Sequence, residues 1–334
     1  MNNGWPDSAL VVGAGSIGRR HLGNLRVLGV STLYACDPHA DRLNFVRERF
    51  GVNPVADIET GMAHNPHIVL VCSPPNKHVS HALQALRNGA HVFLEKPVSN
   101  SLEDAELLLS EHEKRGMTLQ VGYNLRFHPP VEKIKQVIAS GAIGQILWGR
   151  VESGSYLPEW RPWQNYRENY TAQRARGGGI ILDGSHELDY VSWMFGPPAE
   201  LACMAGKVSA LEIDVEDCAT ILMRFSTGFQ LDIHVDFMQR FYSRGCMLTG
   251  ETGKLQWDFT ANTVQIHRLG ERVEVIQFDC QVNDMYIAEL RHFMECIKSG
   301  TPPKVTLRDG ILTLRIALAA RVAAEEKRWV HDAW

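Results

Sequence analysis

Residues 9–18 read ALVVGAGSIG, an apolar run that ends in a glycine pattern of the form GxGxxG. In such a pattern the first glycine permits a tight turn, the second lets a phosphate approach the backbone, and the third lets a helix pack closely on the strand. The free N–H groups at the start of that helix bind phosphate. The residues predicted to surround the phosphates are Gly13, Gly15, Ser16, Ile17 and Gly18.

An acidic residue stands where the next predicted strand ends. Asp37 follows the apolar run Thr32–Ala35 at the spacing that a dinucleotide-binding fold requires. Its carboxylate would accept hydrogen bonds from both hydroxyls of a ribose and would repel a 2′-phosphate. The sequence therefore predicts NAD as the cofactor, and Arg42 keeps NADP as the less favoured alternative.

The first third of the chain alternates short apolar runs with amphipathic segments. Near-continuous apolar strands that alternate with helices indicate a parallel sheet covered on both faces. The predicted strands are Ala9–Val12, Thr32–Ala35, Ile68–Cys72, His91–Leu94 and Met117–Val121. The predicted helices are Ile17–Leu28, Ala40–Phe50, Lys77–Asn88 and Leu102–Arg115.

After residue 122 the pattern changes to extended segments with period-two alternation, as in Gln230–Phe237. The helices predicted there are Val131–Ser140, Asp183–Phe195, Met285–Lys298 and Leu307–Lys327. We therefore predict an α/β protein with a doubly wound parallel (Rossmann) domain over 1–122. An α+β domain on an open, largely antiparallel sheet is predicted over 123–334, and its closing helices are able to pack back on the first domain.

Composition excludes several classes of function. The chain has 334 residues with 34 Lys+Arg and 38 Asp+Glu, so its net charge of -4 favours neither nucleic acid nor an anionic membrane as a partner. No apolar stretch approaches the roughly 18 residues of a membrane span, and the first residues lack the basic region of a signal peptide. Seven scattered cysteines without a CxxC pair argue against disulfides and a metal site. A cytoplasmic protein without a bound metal is expected.

Three further motifs carry a resemblance to a known family. Ser73–His78 reads SPPNKH after the third main strand, residues 95–97 read EKP, and residues 177–189 read GGGIILDGSHELD. Together with the glycine pattern, these resemble the glucose–fructose oxidoreductase / inositol dehydrogenase / MocA-like (Gfo/Idh/MocA) family over nearly the whole chain. The resemblance implies an active site in the cleft between two domains and a homodimer or homotetramer built on one face of the second sheet.

The resemblance also assigns residues to the cofactor and to the cleft. In addition to the glycine turn and Asp37, the cofactor residues it implies are Ser73, Pro74, Asn76, His78, Glu95 and Lys96. Asn124 and Arg126, at the junction of the domains, resemble cleft residues that bind substrate.

Oxidation of an alcohol needs a base for the hydroxyl proton and a cation for the developing alkoxide. Lys96, at the end of a predicted parallel strand, is the predicted cation, and His186, with an ordinary pKa near ~6.5, is the predicted base. Asp183 and Asp189 lie three residues before and after the histidine, so either can orient it. Many relatives have an acid four residues before this histidine, where this chain has Leu182, so Asp183 is predicted as a supporting catalytic residue.

The segment 156–167, YLPEWRPWQNYR, is rich in aromatic and guanidinium groups. Tryptophan faces stack on sugar C–H surfaces, and arginine binds carboxylate or phosphate through two N–H groups. A sugar, an acidic sugar or a sugar nucleotide is therefore the predicted substrate. The predicted substrate-binding residues are Trp160, Arg161, Trp163, Arg167 and Asp189 together with Asn124 and Arg126. The alternative is that this loop packs over the domain junction or onto a neighbouring subunit.

These observations predict an NAD(P)-dependent oxidoreductase that transfers a hydride between the nicotinamide and a secondary hydroxyl or ketone of a sugar, cyclitol or sugar derivative. Two alternatives remain at this point. One is a glycosidase of the same fold that retains its NAD, and the other is a sensor or co-regulator that binds a dinucleotide without turnover.

Overall fold

Two compact units make up the chain in the computed structural model, which describes residues 5–331 and 334. Unit 1 comprises Met1–Asn124 and Val282–Ile311, and unit 2 comprises Leu125–Gln281 and Leu312–Trp334. The division lies two residues beyond the predicted boundary at 122, and it assigns the first closing helix to unit 1.

Unit 1 is built on a six-stranded sheet in the order β3-β2-β1-β4-β5-β6, in which every pairing is parallel. Its strands are β1 (Ser8–Val12), β2 (Thr32–Cys36), β3 (Asn53–Pro54), β4 (Ile68–Val71), β5 (His91–Leu94) and β6 (Leu119–Val121). The connecting helices are α1 (Ser16–Val27), α2 (Ala40–Phe50), α3 (Ile58–Met62), α4 (Pro75–Arg87) and α5 (Leu102–Arg115). This confirms the predicted parallel Rossmann sheet.

The strand register brings the carboxyl ends of the strands of unit 1 level with one another. Val12 pairs with Cys36 and with Val71, Val71 pairs with Leu94, and Leu94 pairs with Val121. The residues that follow these strands therefore lie along one edge of the sheet, where ligands bind in open α/β folds.

Unit 2 is built on a nine-stranded sheet in the order β14-β13-β12-β11-β7-β10-β9-β8-β15. Only the pairing of β10 with β7 is parallel, so the sheet is largely antiparallel, as predicted. Its strands are β7 (Ile146–Gly154), β8 (Glu200–Gly206), β9 (Cys218–Arg224), β10 (Gln230–Asp236), β11 (Ser243–Gly250), β12 (Gly253–Asp258), β13 (Thr263–Arg268), β14 (Glu274–Gln277) and β15 (Val330–His331).

Helices cover the apolar face of this sheet. They are α6 (Pro129–Ala139), which contacts β12 and β13, α7 (Ile180–Asp183), which contacts β9 and β10, and α8 (Ser185–Phe195), which contacts β7. Single-turn 3₁₀ segments occupy Asn124–Phe127, Leu157–Glu159, Tyr166–Glu168, Tyr170–Ala172 and Arg174–Arg176. Two long helices close the chain, α9 (Val282–Ser299) and α10 (Leu307–Glu326).

The first closing helix completes the core of unit 1. Leu290, Phe293 and Met294 of α9 belong to the same buried cluster as the apolar residues of β1, β2 and β4. The Phe293 ring lies edge-on to Phe93 of β5, with the two centroids 5.8 Å apart. Burial of large aromatic and aliphatic side chains is the main stabilising contribution in such a core.

Local sequence patterns gave several element bounds correctly and missed others. The bounds of α2, α5 and β5 are as predicted, whereas the two-residue β3 and the single-turn α3 had no detectable periodicity. The predicted helix Asp183–Phe195 is interrupted at Gly184, which separates α7 from α8. None of the described helices combines the length and apolarity needed to cross a membrane.

The N-cap of α3 gives a prediction on stability. Asp57 Oδ1 accepts a hydrogen bond from the Thr60 backbone N–H at 2.8 Å, and the Thr60 backbone and hydroxyl hydrogen bonds lower the pKa of this carboxyl. The carboxylate therefore stabilises the fold above its ordinary pKa of about 4. This contribution is lost as the pH falls through the lowered pKa of the folded state.

Asp57→Ala should lower the urea midpoint of unfolding at pH 7, because the exposed N–H groups of α3 lose their cap. The difference from wild type should shrink at a pH below about 4. Asp57→Asn is the matched control, since its amide oxygen still caps the helix without a charge. An Asp57→Ala defect of constant size at every pH would contradict the assignment.

Candidate functional site

The glycine turn after β1 has room only for glycine at two positions. Gly13 has a φ of +101°, and a Cβ there would lie 2.7 Å from the carbonyl oxygen of Cys72. A Cβ on Gly18 would lie 1.9 Å from the carbonyl oxygen of Gly13. Close packing of α1 against the end of β1 therefore depends on these two residues.

The start of α1 has the features of a phosphate cradle. A Cβ on Gly15 would meet nothing within 4 Å, so open space lies above the backbone at this position. Gly15 is the N-cap of α1, and no acidic side chain occupies the first turn to neutralise its N–H groups. An anion such as a pyrophosphate fits this unneutralised helix terminus.

Asp37 is held beside the same turn. Its Oδ2 accepts a hydrogen bond from the Ala14 backbone N–H at 2.8 Å, and its Oδ1 accepts one from the His39 backbone N–H at 2.9 Å. Arg42 Nη1 lies 3.5 Å from Oδ2, and the Arg42 side chain is 33% exposed. The carboxylate is thus fixed next to the glycine turn by two backbone N–H groups.

The predicted cofactor residues after β4 have different environments. Pro74 is the N-cap of α4, Asn76 is exposed in its first turn, and Ser73 Oγ lies 2.9 Å from His81 Nδ1. His78 is buried, with Nε2 2.7 Å from the Ser73 carbonyl oxygen and Nδ1 2.7 Å from the Pro97 carbonyl oxygen.

Burial lowers the pKa of His78, and the neutral imidazole donates one N–H to one of these carbonyls. Both ring nitrogens face the backbone of the protein. His78 therefore links the loop after β4 to the loop after β5, and its predicted contact with the cofactor stays a prediction.

Glu95 and Lys96 follow β5 at the same sheet edge. Glu95 is nearly buried, and its Oε1 lies 2.7 Å from His21 Nε2. Its Oε2 accepts a hydrogen bond from the Lys96 backbone N–H at 3.2 Å, and the Lys96–Pro97 peptide bond is cis. Lys96 is partly exposed, which leaves its side chain accessible at the end of the strand.

His21 is not among the residues predicted from the sequence, although the spacing of buried residues along α1 marks it. Gly18, His21, Leu22 and Leu25 form the buried face of α1, with spacings of three and four residues. A histidine on an otherwise apolar helix face needs a buried partner, and that partner is Glu95.

In unit 2, Arg126 and Asp189 bind each other. Arg126 Nε lies 2.9 Å from Asp189 Oδ2, Arg126 Nη2 lies 2.7 Å from Asp189 Oδ1, and both side chains are at most 3% exposed. Thr313 Oγ1 lies 3.4 Å from Asp189 Oδ1. The bidentate pair joins the 3₁₀ segment Asn124–Phe127 to α8, and the substrate contacts expected of these two residues stay predictions.

His186 lies in the first turn of α8 and is partly exposed. Asp183 is separated from it by the break at Gly184 and accepts a hydrogen bond from the Tyr170 hydroxyl at 3.0 Å. Asp183 and His186 therefore do not lie on one continuous helix, and the predicted placement of the two on one helix face, three residues apart, does not apply. Asp189, the other candidate to orient the imidazole, is bound to Arg126.

The aromatic loop of unit 2 separates into packed and exposed residues. The Trp160 ring lies edge-on to Phe237 at 5.2 Å, and Arg161 lines the same small cavity as Trp160. Trp163 is 70% exposed, and the Arg167 guanidinium pairs with Glu212. Asn124, assigned to unit 1, is buried and hydrogen-bonds to the Tyr286 side chain.

Two family descriptions match the chain. Residues 8–123 match "Oxidoreductase family, NAD-binding Rossmann fold" of the Gfo/Idh/MocA group. Residues 131–256 match "GFO/IDH/MocA C-terminal domain". The matched segments fall within unit 1 and unit 2, respectively.

Individual relatives agree with this assignment. The chain is 31% identical to myo-inositol 2-dehydrogenase of Thermotoga maritima, over 96% of this chain and 97% of that protein. It is 25% identical to the scyllo-inositol 2-dehydrogenase (NAD(+)) of Bacillus subtilis, over 93% and 92%.

Among solved structures, levoglucosan dehydrogenase in complex with NADH shares the fold with a TM-score of 0.88, at 18% identity over 97% of this chain and 98% of that chain. The glycine turn and Asp37 both lie within the segment that matches the NAD-binding Rossmann description. This chain belongs to the Gfo/Idh/MocA family of oxidoreductases, and the cofactor of its first unit is NAD.

Proposed function

We propose that this enzyme transfers a hydride between NAD and a secondary hydroxyl or ketone carbon of a sugar, cyclitol or sugar derivative. One observation carries the proposal. Lys96 follows β5 and His186 lies in the first turn of α8, and both side chains are partly exposed, while the acids near them in sequence, Glu95, Glu187 and Asp189, are buried. The exposed groups are the cation and the base that oxidation of an alcohol needs.

The names of relatives support a polyhydroxylated substrate. The proteins similar to this chain include dehydrogenases of myo-inositol, scyllo-inositol and D-apiose and a reductase of 1,5-anhydro-D-fructose. Each name denotes a compact molecule with several neighbouring hydroxyl groups. We infer that this chain acts on a compound of the same class.

The proposed roles follow from the environment of each residue. NAD supplies the hydride acceptor when bound. The Lys96 ammonium stabilises negative charge on the substrate oxygen, and His186 takes the hydroxyl proton and returns it in the reverse direction. Asp183, held by the Tyr170 hydroxyl, supports the segment that leads into α8. The buried pair of Arg126 and Asp189 fixes α8 itself.

We propose that the loop 157–167 contacts the substrate through Trp163 and Arg161. The exposed face of Trp163 is available for stacking on a sugar ring, and Arg161 is partly exposed beside it in sequence. Trp160 packs edge-on against the Phe237 ring and so anchors the loop to unit 2. Assembly into a homodimer or homotetramer stays a prediction, and the alternative role of the loop is a contact between subunits.

The class of reaction is tested by a panel of cyclitols, sugars and glycosides with NAD. Reduction of NAD by a polyol, followed as NADH absorbance, is the expected result. Cleavage of a glycoside without net NADH would assign the chain to the glycosidases instead. Binding of NAD without any turnover across the panel would indicate a sensor.

Asp37→Ser should weaken NAD binding by a factor of about 10 or more and narrow the difference between NAD and NADP, because the ribose loses a charged acceptor. Dissociation constants for both cofactors, measured by fluorescence or calorimetry, give the comparison. Arg42→Ala is the control, since it removes the neighbouring cation and keeps the carboxylate. A wild-type enzyme that binds NADP more tightly would refute the role assigned to Asp37.

Lys96→Ala and His186→Ala should each lower kcat by a factor of roughly 10² or more while the Kd for NAD changes little, as expected for positioned acid–base groups. Lys114→Ala and His67→Ala are matched controls, because these side chains are 65% and 54% exposed elsewhere on unit 1. Near-normal turnover in either test variant would remove that residue from the mechanism.

Trp163→Ala should lower kcat/KM for the substrate and leave the affinity for NAD unchanged. Trp329→Ala, which removes another exposed tryptophan of unit 2, is the control. Arg161→Lys should reduce activity if the substrate is acidic, because a point charge does not replace a bidentate contact. If Trp163→Ala instead yields a smaller oligomer or a lower Tm with normal kinetics, the loop belongs to an interface.

A further inference from the structure

A cluster of three ionisable residues lies buried in unit 1, and two of them, His21 and Glu289, have no part in the roles assigned so far. His21 of α1 and Glu289 of α9 are 0% exposed, and Glu95 after β5 is 8% exposed. One nitrogen or oxygen atom from each residue lies within 4.8 Å of the corresponding atoms of the other two. We call these residues the His21 cluster.

In this cluster, both carboxyl oxygens of Glu95 have a hydrogen-bond partner. Its Oε1 lies 2.7 Å from His21 Nε2, and its Oε2 accepts a hydrogen bond from the Lys96 backbone N–H. A Cβ on Gly122 would lie 3.3 Å from the Glu95 carboxyl carbon, so the backbone after β6 confines this carboxylate. The His21 ring is enclosed by Phe93 and Tyr286, with centroids at 5.1 and 6.3 Å.

Glu289 has the opposite environment. Neither of its carboxyl oxygens has a hydrogen-bond partner among the residues that the structure describes, and both oxygens are buried. An ionised carboxylate in such a place is costly unless a cation or hydrogen-bond donors compensate it. No Lys or Arg side chain within the described part of the chain forms an ion pair with Glu289.

The other titratable groups around Glu289 do not supply a positive charge either. Glu289 interacts electrostatically with Cys72 and Tyr286, and Glu95 interacts with these two groups and with His21 and His78. Burial raises the pKa values of the Cys72 thiol and the Tyr286 hydroxyl and lowers that of the His78 imidazole. Burial, and then the charge of Glu95, raise the pKa of Glu289 well above its usual range. Two carboxyl groups whose oxygens lie within 4.8 Å of each other cannot both ionise in an apolar interior without a large cost in free energy.

The distances favour a proton over a metal ion in this cluster. Two ligands of one tetrahedral metal, each with a bond of about 2.0–2.1 Å, stand about 3.3 Å apart. His21 Nε2 and Glu95 Oε1 are 2.7 Å apart, which is a charge-assisted hydrogen bond. The direct bond between these two atoms leaves no place for a shared metal between them.

We propose that Glu289 is the protonated member of the His21 cluster, and that His21 is a positioning residue that holds the Glu95 carboxylate against the backbone of Lys96. The cluster then carries one carboxylate charge instead of two. His21 donates its Nε2–H to Glu95, and Glu95 fixes the turn that presents the Lys96 side chain. The link to turnover rests on the proposed function, whereas the protonation state does not.

Infrared spectroscopy of the full-length protein tests the protonation state without substrate. Wild type at pH 7 should show the carbonyl stretching band of a buried, unionised carboxylic acid, and Glu289→Gln should lose it. Glu289→Leu serves as a second variant if the amide misfolds. Absence of the band in wild type, or its persistence in both variants, would overturn the proposal. So would one equivalent of a divalent metal in purified wild type that is absent from Glu289→Gln.

The pH dependence of stability provides a second test. A carboxyl group with a raised folded pKa is protonated in the folded state and ionised in the unfolded state, so it stabilises the fold at low pH and loses this contribution as pH rises through the folded pKa. Glu289→Gln has no such dependence. The Tm of Glu289→Gln should therefore rise relative to the Tm of wild type as the pH is increased from 5 to 9. A Tm difference between variant and wild type that stays constant or falls over this range would contradict the proposal.

Kinetics test the positioning role separately. His21→Phe keeps an aromatic ring but removes the donor to Glu95, so kcat should fall by about 10-fold and its pH profile should shift, with KM nearly unchanged. His21→Gln restores an N–H donor and should recover most of the loss. Equal loss in both variants, with a lowered Tm and an unmoved pH profile, would show a merely structural role. An enzyme with no turnover in any form, yet with the infrared band, would overturn the proposed function alone.

Discussion

Parallel pairing of β1 with β2 and β4, and of β4 with β5, is the constraint on which the rest of unit 1 depends. Hydrogen-bonded register places Val12, Cys36, Val71 and Leu94 level with one another. The residues that follow each strand therefore meet at one edge although they are far apart in the chain. The glycine turn, Asp37, Ser73 and Glu95–Lys96 all reach that edge in this way, and it is the edge at which ligands bind in open α/β folds.

Buried charge organises the rest of the candidate site. Asp37 is held by two backbone N–H groups, Asp189 by Arg126, and Glu187 by Arg244 at 2.9 Å. Arg321 binds both Glu216 and the carbonyl oxygen of Gly178, and so fixes the segment before α7. An ionised group removed from water needs such partners. The paired groups serve as supports for the segments that carry them.

The same reasoning separates the two carboxylates beside β5. Glu95 has a histidine and a backbone N–H as partners, whereas Glu289 has no such partner among the described residues and is the acid that we propose takes a proton. For a carboxyl group that is buried near another carboxylate, the protonated form is lower in free energy than the ionised form. The turn that carries Lys96 thereby rests on a single, well-placed negative charge.

The sequence by itself determined whatever depends on neighbours along the chain. Apolar runs and helical periodicity predicted the strands and helices of unit 1, and the spacing from Gly13 to Asp37 predicted the cofactor, because both patterns are local. Tertiary structure alone decided which distant groups meet: Arg126 pairs with Asp189 across 63 residues, and His21 with Glu95 across 74. The break at Gly184 and the burial of Glu289 were likewise beyond reach, since burial is set by packing between elements, and the pattern of a single segment does not specify what packs against it.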